Sequence, residues 1–290
     1  MLFFFSGFSG YSEHMKHDIR LIAMDLDDTL FKHDLTISDR TVRTLRRAAD
    51  RGIRLVLASG RSPEAMYPAA DRIGISADDS FIIANNGSQI IDSRTRTILR
   101  EHFLPTDIAL EAFRLVLAAG LSCHIYEGNS IHVSKETEYS DRDWQLSGLK
   151  PEIPADFEEL IRKGVYKLVI PGDPEFIVPV QAEFKVQFAG RATVFVSKPF
   201  FMEVLPLNAG KGESLKEVAE DLLGLSADQV MAFGDSMNDE SMLRYAGHSV
   251  AMSNSRPEIL ALARHTSFLS NDEDGVADYI ERVVLGTSNN

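Results

Sequence analysis

Four short apolar segments, each ending in acidic or polar residues, most constrain how this chain can fold. They are IRLIAMDLDD at 19–28, IRLVLASGR at 53–61, VMAFGDSMND at 230–239 and HSVAMSNS at 248–255. Such runs are typical of β-strands that are buried on both faces of a sheet. Between the first two, Val42, Leu45 and Ala49 recur at helical spacing, with Ser38 and Gly52 as candidate caps at the two ends. This strand, helix, strand order predicts a parallel sheet.

Other segments extend the same α/β pattern. Helices are predicted for SPEAMYPAADRIG at 62–74 and KGESLKEVAEDLLG at 211–224, and a third strand for SFIIANN at 80–86. The N-terminal and C-terminal parts therefore share one architecture. We expect a doubly wound, Rossmann-like parallel-sheet core formed by residues 18–86 and 198–290.

The middle of the chain, residues 87–197, follows a different pattern. SQIIDSRTRTILREHF and LSCHIYEGNSIHVSK resemble β-hairpins with turn residues at their centres. TDIALEAFRLVLAAG and PEFIVPVQAEFKVQFAG are predicted helices. Hence we expect an inserted α+β cap domain, which could close over a site in the core and exclude water from it. His124, Tyr126 and His132 lie in the predicted cap hairpins, where packing is the expected role rather than substrate contact.

Length, charge and cysteine content exclude several classes of protein. With 290 residues, of which 44% are hydrophobic, the chain can form two domains of ordinary size. A net charge of -13 argues against nucleic-acid partners, because these require clustered Lys and Arg. The single cysteine, Cys123, allows no internal disulfide. Residues 1–17 lack the basic start of a signal peptide, and they are expected to form a disordered extension. Because no apolar segment approaches about 20 residues, we expect a cytoplasmic protein without a membrane partner. We also expect a monomer or a weak homo-oligomer.

The reactive side chains are predicted at the carboxyl ends of the strands, where open α/β sheets bind their ligands. Three groups of residues follow the first strand, the second strand and a later strand, respectively: Asp25, Asp27, Asp28 and Thr29; Ser59, Gly60 and Arg61; and Asp235, Ser236, Asn238 and Asp239. Carboxylates gathered at one edge repel one another, and a divalent cation with oxygen ligands relieves this repulsion. Mg²⁺ is the expected cation because it accepts one or two carboxylates together with a substrate phosphate oxygen.

Four motifs resemble those of the haloacid dehalogenase-like phosphatases. They are DLDDT at 25–29, the serine of LASGR at 59, Lys211 in NAGKGESL and GDSMND at 234–239. The insert after the third strand, NNG at 85–87 and NDEDGVADYI at 271–280 resemble the Cof-type branch of this family, which has a large cap domain. The resemblance covers about residues 18–285.

The resemblance implies specific catalytic roles. Asp25 would attack phosphorus and become an aspartyl phosphate, while Asp27 would protonate the leaving alcohol and then deprotonate the hydrolytic water. Ser59 and the amides that follow it would hold the phosphoryl oxygens, and Lys211 would offset negative charge on Asp25 and the phosphate.

The metal and substrate ligands follow from the same resemblance. Asp235, the Asp25 carboxylate and the Asp27 backbone carbonyl would bind Mg²⁺, and Asp239 would orient Lys211 or a water molecule. Arg61 is expected either to attract an anionic substrate or to lie on a helix surface. The predicted phosphate or substrate contacts are Thr29, Ser59, Gly60, Arg61, Asn86 and Asn238.

These residues predict a magnesium-dependent phosphatase that acts on small phosphorylated metabolites, such as sugar phosphates or phosphorylated cofactors. Three alternatives remain open. A receiver domain would lack the insert and retain its phosphate, a phosphomutase would turn over a hexose phosphate without releasing phosphate, and a non-catalytic phosphate-binding module would show neither activity.

Overall fold

A computed structural model describes residues 18–77, 79–207 and 209–287, so the predicted extension at 1–17 lies outside the described residues. Within these residues the strands are β1 (Leu21–Met24), β2 (Arg54–Ala58), β3 (Phe81–Ala84), β4 (Gln89–Asp92), β5 (Ile98–Glu101), β6 (His124–Glu127), β7 (Ser130–Val133), β8 (Lys150–Glu152), β9 (Leu168–Pro171), β10 (Ala192–Lys198), β11 (Phe201–Pro206), β12 (Val230–Gly234), β13 (His248–Ala251) and β14 (His265–Thr266).

The helices of the same described residues follow the predicted alternation with strands. They are α1 (Asp39–Ala49), α2 (Pro63–Ile73), α3 (Thr106–Ala118), α4 (Glu138–Ser147), α5 (Phe157–Arg162), α6 (Pro174–Gln187), α7 (Lys211–Lys216), α8 (Glu240–Tyr245), α9 (Pro257–Leu262) and α10 (Gly275–Tyr279). Helical turns over Glu217–Leu222 and Ile280–Val284 extend α7 and α10. Ser38 caps α1 as predicted, because its Oγ accepts a hydrogen bond from the Thr41 amide at 3.1 Å.

Eight strands form the first sheet, in the order β14-β13-β12-β1-β2-β3-β4-β5. β1 lies at its centre and pairs in parallel with β12 and β2. Alternate residues of β1 enter different apolar clusters: Ile22 and Met24 join one, and Leu21 and Ala23 join the other. Because successive side chains of a strand point to opposite faces, these clusters lie on opposite faces of the sheet. Val42 of α1 belongs to the first cluster and Met242 of α8 to the second, so helices cover both faces. The predicted doubly wound α/β core is confirmed.

Six strands form the second sheet, in the order β10-β11-β9-β6-β7-β8. Its pairs are antiparallel except for β7 with β8. Helices α3, α5 and α6 contribute Phe113, Ile161 and Phe184 to the apolar cluster beside it. The mixed α+β character predicted for the middle of the chain therefore matches this sheet. No helix within the described residues combines the length and the apolar composition required to cross a membrane.

The chain passes from one sheet to the other at positions that differ from those predicted. The hairpin β4–β5 was expected in the cap, but β4 pairs with β3 and continues the first sheet. Ile90 and Ile91 are both fully buried there, so this hairpin covers the edge of β3. At the other end, β11 lies beyond the predicted boundary at 198 but pairs with both β10 and β9. The second sheet therefore begins after β5 and ends with β11, whereas the cap was predicted to span residues 87–197.

Candidate active site

The residues after β1 form a tight loop at the carboxyl edge of the first sheet. The Asp25 amide donates to the Phe233 carbonyl at 3.1 Å, and the Phe31 amide closes the loop on the Leu26 carbonyl at 2.7 Å. Asp28 adopts the left-handed region, with φ of +58°, which aspartate tolerates better than most residues. The loop therefore keeps Asp25 beside β12, and Asp28 Oδ2 accepts from Lys198 Nζ of the second sheet at 3.3 Å.

A buried acidic cluster lies at this edge. Carboxylate oxygens of Asp25, Asp235 and Asp239 lie within 4.8 Å of one another. Lys211, at the start of α7, donates to Asp25 Oδ1 at 2.5 Å and to Asp239 Oδ1 at 2.6 Å. Thr29 Oγ1 donates to Asp235 Oδ1 at 2.8 Å. The ends of two strands, β1 and β12, and the start of helix α7 thus converge on a single site.

The charges of this cluster do not balance. Burial raises the pKa of Asp25, Lys211 opposes this rise, and Asp239 adds to it. Burial and the neighbouring Asp239 also raise the pKa of Asp235 to about 7. One lysine faces three carboxylates, so excess negative charge remains, and the hard oxygen donors suit a divalent cation such as Mg²⁺.

Asp239 contributes more to the cluster than its predicted supporting role implies. Its Oδ1 accepts from Lys211, and its Oδ2 accepts from the amides of Asp235 and Ser236 at 3.0 and 3.1 Å. It therefore fixes both the lysine and the loop that carries Asp235. Asp27 has its side chain elsewhere: Arg61 Nε and Nη2 donate to its two carboxylate oxygens at 2.9 and 2.8 Å.

The loop after β2 lies against the loop after β3. Ser59 Oγ accepts from the Arg61 amide at 3.2 Å, and the Asn86 amide donates to the Ser59 carbonyl at 2.9 Å. A Cβ atom on Gly60 would lie 2.9 Å from Asn86 Nδ2, so only glycine fits without a shift. Asn238 Nδ2 donates to Asn86 Oδ1 at 3.0 Å. The predicted contacts Ser59, Gly60, Arg61, Asn86 and Asn238 thus lie in one connected region.

Comparison with known proteins identifies the family. The family model described as haloacid dehalogenase-like hydrolase matches residues 22–280. The chain belongs to this family. The HMP-PP phosphatase of Serratia proteamaculans is 29% identical over 265 residues, which cover 90% of this chain and 94% of that protein. The HMP-PP phosphatase of Enterobacter sp. strain 638 is 30% identical over 246 residues, which cover 85% and 88% of the two chains.

Solved structures agree with this assignment. A haloacid dehalogenase-like hydrolase from Bacteroides thetaiotaomicron superposes with a TM-score of 0.83 at 33% identity, over 91% of this chain and 99% of that one. A second, from B. subtilis, has a TM-score of 0.80 at 24% identity over 92% and 100% of the chains, and it supports the fold alone. The predicted membership of the haloacid dehalogenase-like family and its Cof-type branch is confirmed, and the chain is a phosphatase-class enzyme.

In this haloacid dehalogenase-like chain, the second sheet closes one side of a cavity of about 200 Å³. The first sheet contributes Asp25, Asp27, Ser59, Arg61 and Asp235. The residues that belong to the second sheet or its connections are Tyr126, Asp143, Leu146, Ser147, Lys167, Ser197, Lys198, Pro199, Phe201 and Glu203. Asp25 therefore shares this cavity with residues of the second sheet and its connections.

Several cavity residues were not predicted. Tyr126, for which packing was expected, lines the cavity and donates to Asp143 Oδ1 at 2.8 Å. His124 is fully buried, and its Nδ1 lies 2.8 Å from Asp143 Oδ2. Lys167 and Glu203 also line the cavity. The sequence offered one signal for each of them, a single charged residue within an apolar strand segment: YKLVI for Lys167 and FMEVLP for Glu203.

Proposed function

We propose that this enzyme is a Mg²⁺-dependent phosphatase that hydrolyses small phosphorylated metabolites through transient phosphorylation of Asp25. The observation that carries the proposal is the position of Asp25. Its carboxylate is part of the acidic cluster, contacts Lys211 and also lines the cavity beneath the second sheet. A nucleophile, a charge-neutralising cation and room for a substrate therefore coincide at one side chain.

The proposed reaction uses two aspartates in sequence. A carboxylate oxygen of Asp25 bonds to phosphorus while the bond from phosphorus to the leaving oxygen breaks. Asp27 donates a proton to that oxygen, and it then accepts a proton from the water that hydrolyses the aspartyl phosphate. Lys211 holds Asp25 in place through its 2.5 Å hydrogen bond and offsets negative charge during both steps.

The acidic cluster supplies the metal ligands in this proposal. Asp25 and Asp235 would bind Mg²⁺ together with the backbone carbonyl of Asp27, and Asp239 would fix the loop of Asp235. Bound Mg²⁺ would neutralise charge on the phosphoryl oxygens. Ser59 and the following amides would hold those oxygens, with Asn238 nearby and Thr29 orienting Asp235 through its 2.8 Å hydrogen bond.

The substrate class is proposed from the enclosure of the site and from the relatives. A cavity of about 200 Å³ that is covered by a second sheet favours a small leaving group over a protein surface. Two relatives are named HMP-PP phosphatase, which is consistent with a phosphorylated metabolite of modest size. The cytoplasmic location and the monomeric or weakly oligomeric state stay predictions.

The direct test is release of inorganic phosphate from p-nitrophenyl phosphate in the presence of MgCl₂. We expect turnover by the wild-type enzyme and none by Asp25→Asn, since an amide cannot replace the nucleophile. Asp221→Asn, at an exposed aspartate, is the matched control and should behave as wild type. Substantial turnover by Asp25→Asn would refute the assignment of Asp25 as the nucleophile. Full activity after exhaustive chelation with EDTA would refute the requirement for a metal ion.

The same assay addresses the alternative functions. Stoichiometric release of phosphate from a panel of phosphorylated metabolites would exclude a phosphomutase, which transfers the group and retains it. A stable phosphorylated protein without turnover would instead favour a receiver-like module. Binding of phosphate without either reaction would indicate a non-catalytic binding protein.

A further inference from the structure

A buried ion pair of the second sheet contacts the first sheet. Lys167 directly precedes β9 and Glu203 lies in β11, each is 4% exposed, and Lys167 Nζ lies 2.9 Å from Glu203 Oε2. Burial of two charges costs desolvation free energy that their attraction often does not recover. A buried pair of this kind is therefore weak evidence for stabilisation, and its other contacts indicate a different role.

Each member of the pair makes a second hydrogen bond, to a loop of the first sheet. Lys167 Nζ donates to the Gly60 carbonyl at 2.7 Å, in the loop after β2. Glu203 Oε2 accepts from Asn86 Nδ2 at 2.8 Å, in the loop after β3. The pair therefore connects the second sheet to two adjacent strand-end loops of the first sheet.

These two loops are also hydrogen-bonded to each other and to the loop 235–239, which carries Asp235. The Asn85 amide donates to the Arg61 carbonyl at 2.8 Å, and the Asn86 amide donates to the Ser59 carbonyl at 2.9 Å. Asn86 adopts a left-handed conformation, with φ of +55°. Its Oδ1 accepts from Asn238, which lies in the loop that carries Asp235. A displacement of Asn86 would consequently move both the loop that carries Ser59 and the loop that carries Asp235.

We propose that Lys167 and Glu203 are positioning residues that fix the loop Ser59–Arg61 and Asn86 in their reactive arrangement when the second sheet covers the site. This inference rests on the proposed phosphatase function. The pair acts through Gly60 and Asn86, so its removal would misplace the groups that surround phosphate without removing any reacting atom. Displacements of about 1 Å can reduce turnover by about 100-fold.

Three variants separate positioning from stabilisation: Lys167→Met, Glu203→Leu and the double variant. Each single change leaves one buried charge unpaired, so we expect a lower Tm and a kcat/KM for p-nitrophenyl phosphate reduced by about 100-fold. In the double variant neither charge of the pair remains, so the Tm should recover most of what each single variant loses, while kcat/KM stays at least about 10-fold reduced. If activity returned together with Tm, the pair would be structural only.

Amide hydrogen exchange gives a readout that does not depend on catalysis. We expect faster exchange at residues 59–62 and 85–88 in the double variant, with unchanged exchange in β1 and β12. If the double variant exchanged these amides as slowly as the wild type does, the inference would be overturned, whatever the turnover rate of the variant. Should wild type fail to hydrolyse p-nitrophenyl phosphate, the proposed function would fail, and exchange would still decide whether the pair positions the loops.

Two further variants complete the design. Arg191→Met removes another ion pair of the second-sheet region, with Glu111 at 2.7 Å, and we expect wild-type turnover and loop exchange. Glu203→Gln retains an acceptor oxygen for Asn86, and it tests the positioning role if the double variant does not fold. It should retain loop exchange close to wild type and most of the turnover that Glu203→Leu loses. A loss as large as that of Glu203→Leu would overturn the positioning role.

Discussion

Arg61 holds Asp27 by two parallel hydrogen bonds, Nε to Oδ2 at 2.9 Å and Nη2 to Oδ1 at 2.8 Å. Burial alone would raise the pKa of Asp27, but the hydrogen bonds and charge of Arg61 outweigh it and lower the pKa. An ionised Asp27 can accept a proton but cannot donate one. The acid step proposed for this residue therefore requires the pair to open, or a proton to arrive with the substrate.

The two-point geometry of this pair predicts the effect of Arg61→Lys. An ammonium group retains the charge but cannot reach both carboxylate oxygens in a planar fork. We expect kcat for p-nitrophenyl phosphate to fall by about 10- to 100-fold, and further in Arg61→Met. Arg114→Lys is the matched control, because Arg114 makes a similar two-point contact with Glu158 on the exposed surface. A wild-type rate for Arg61→Lys would mean that the two-point contact is not required.

Gly60 gives a prediction about space rather than charge. An added Cβ would lie 2.9 Å from Nδ2 and 3.1 Å from Oδ1 of Asn86, whose side chain is bonded to Glu203 and Asn238. We expect Gly60→Ala to lower the free energy of unfolding by about 1–3 kcal/mol in urea titrations. In an Asn86→Ala background the same change should cost less than about 0.5 kcal/mol, since the opposing atoms are gone. Equal costs in both backgrounds would contradict this explanation.

The acidic cluster predicts that Mg²⁺ stabilises the folded protein. A ligand that binds only the folded state, present at about 100 times its Kd, contributes about 3 kcal/mol, so Tm should rise by several degrees. Asp235→Asn removes one charge of the cluster, and its metal-free Tm should exceed that of wild type while Mg²⁺ no longer raises it. Asp221→Asn should retain the full shift. An undiminished shift in Asp235→Asn would exclude Asp235 as a ligand.

The sequence was sufficient for the parallel core because β1 and its neighbours are continuous apolar runs that end in polar residues. Asp25 and Asp235 could be located from those strand ends alone, since parallel strands of one sheet end at the same edge. The hairpin β4–β5 was placed in the wrong sheet for a physical reason. Its alternation and turn specify a hairpin, but pairing of Ile83 with Ile90 decides which sheet it joins.

The residues of the second sheet that line the cavity could not be found in the same way. Lys167 and Glu203 lie 36 positions apart, and each alone is one charge in an apolar segment. Their role depends on a contact between two strands that are not consecutive along the chain, β9 and β11. Local patterns do not encode such a contact, so only the assembled sheet relates these side chains to Gly60 and Asn86.

A second buried network, remote from the cavity, predicts a pH dependence of stability. Glu281 accepts hydrogen bonds from Arg40 at 2.7 Å and from Thr44 at 2.6 Å. Burial alone would raise the pKa of Glu281, but these two hydrogen bonds outweigh it and lower the pKa. A carboxyl group whose pKa is lower in the folded state stabilises the protein above its unfolded pKa, about 4.3.

We therefore expect Glu281→Gln to lower the free energy of unfolding at pH 7 by about 2 kcal/mol, the range of a hydrogen bond to a charged group. This difference should disappear as the pH falls through the lowered pKa of Glu281, because the wild-type carboxyl group then becomes neutral as well. Urea titrations of both proteins between pH 7 and pH 3 measure it, with Glu258→Gln, at an exposed glutamate, as the control. A difference that is constant across this range would show that the neutral hydrogen bonds, rather than the charge of Glu281, stabilise the contact with α1.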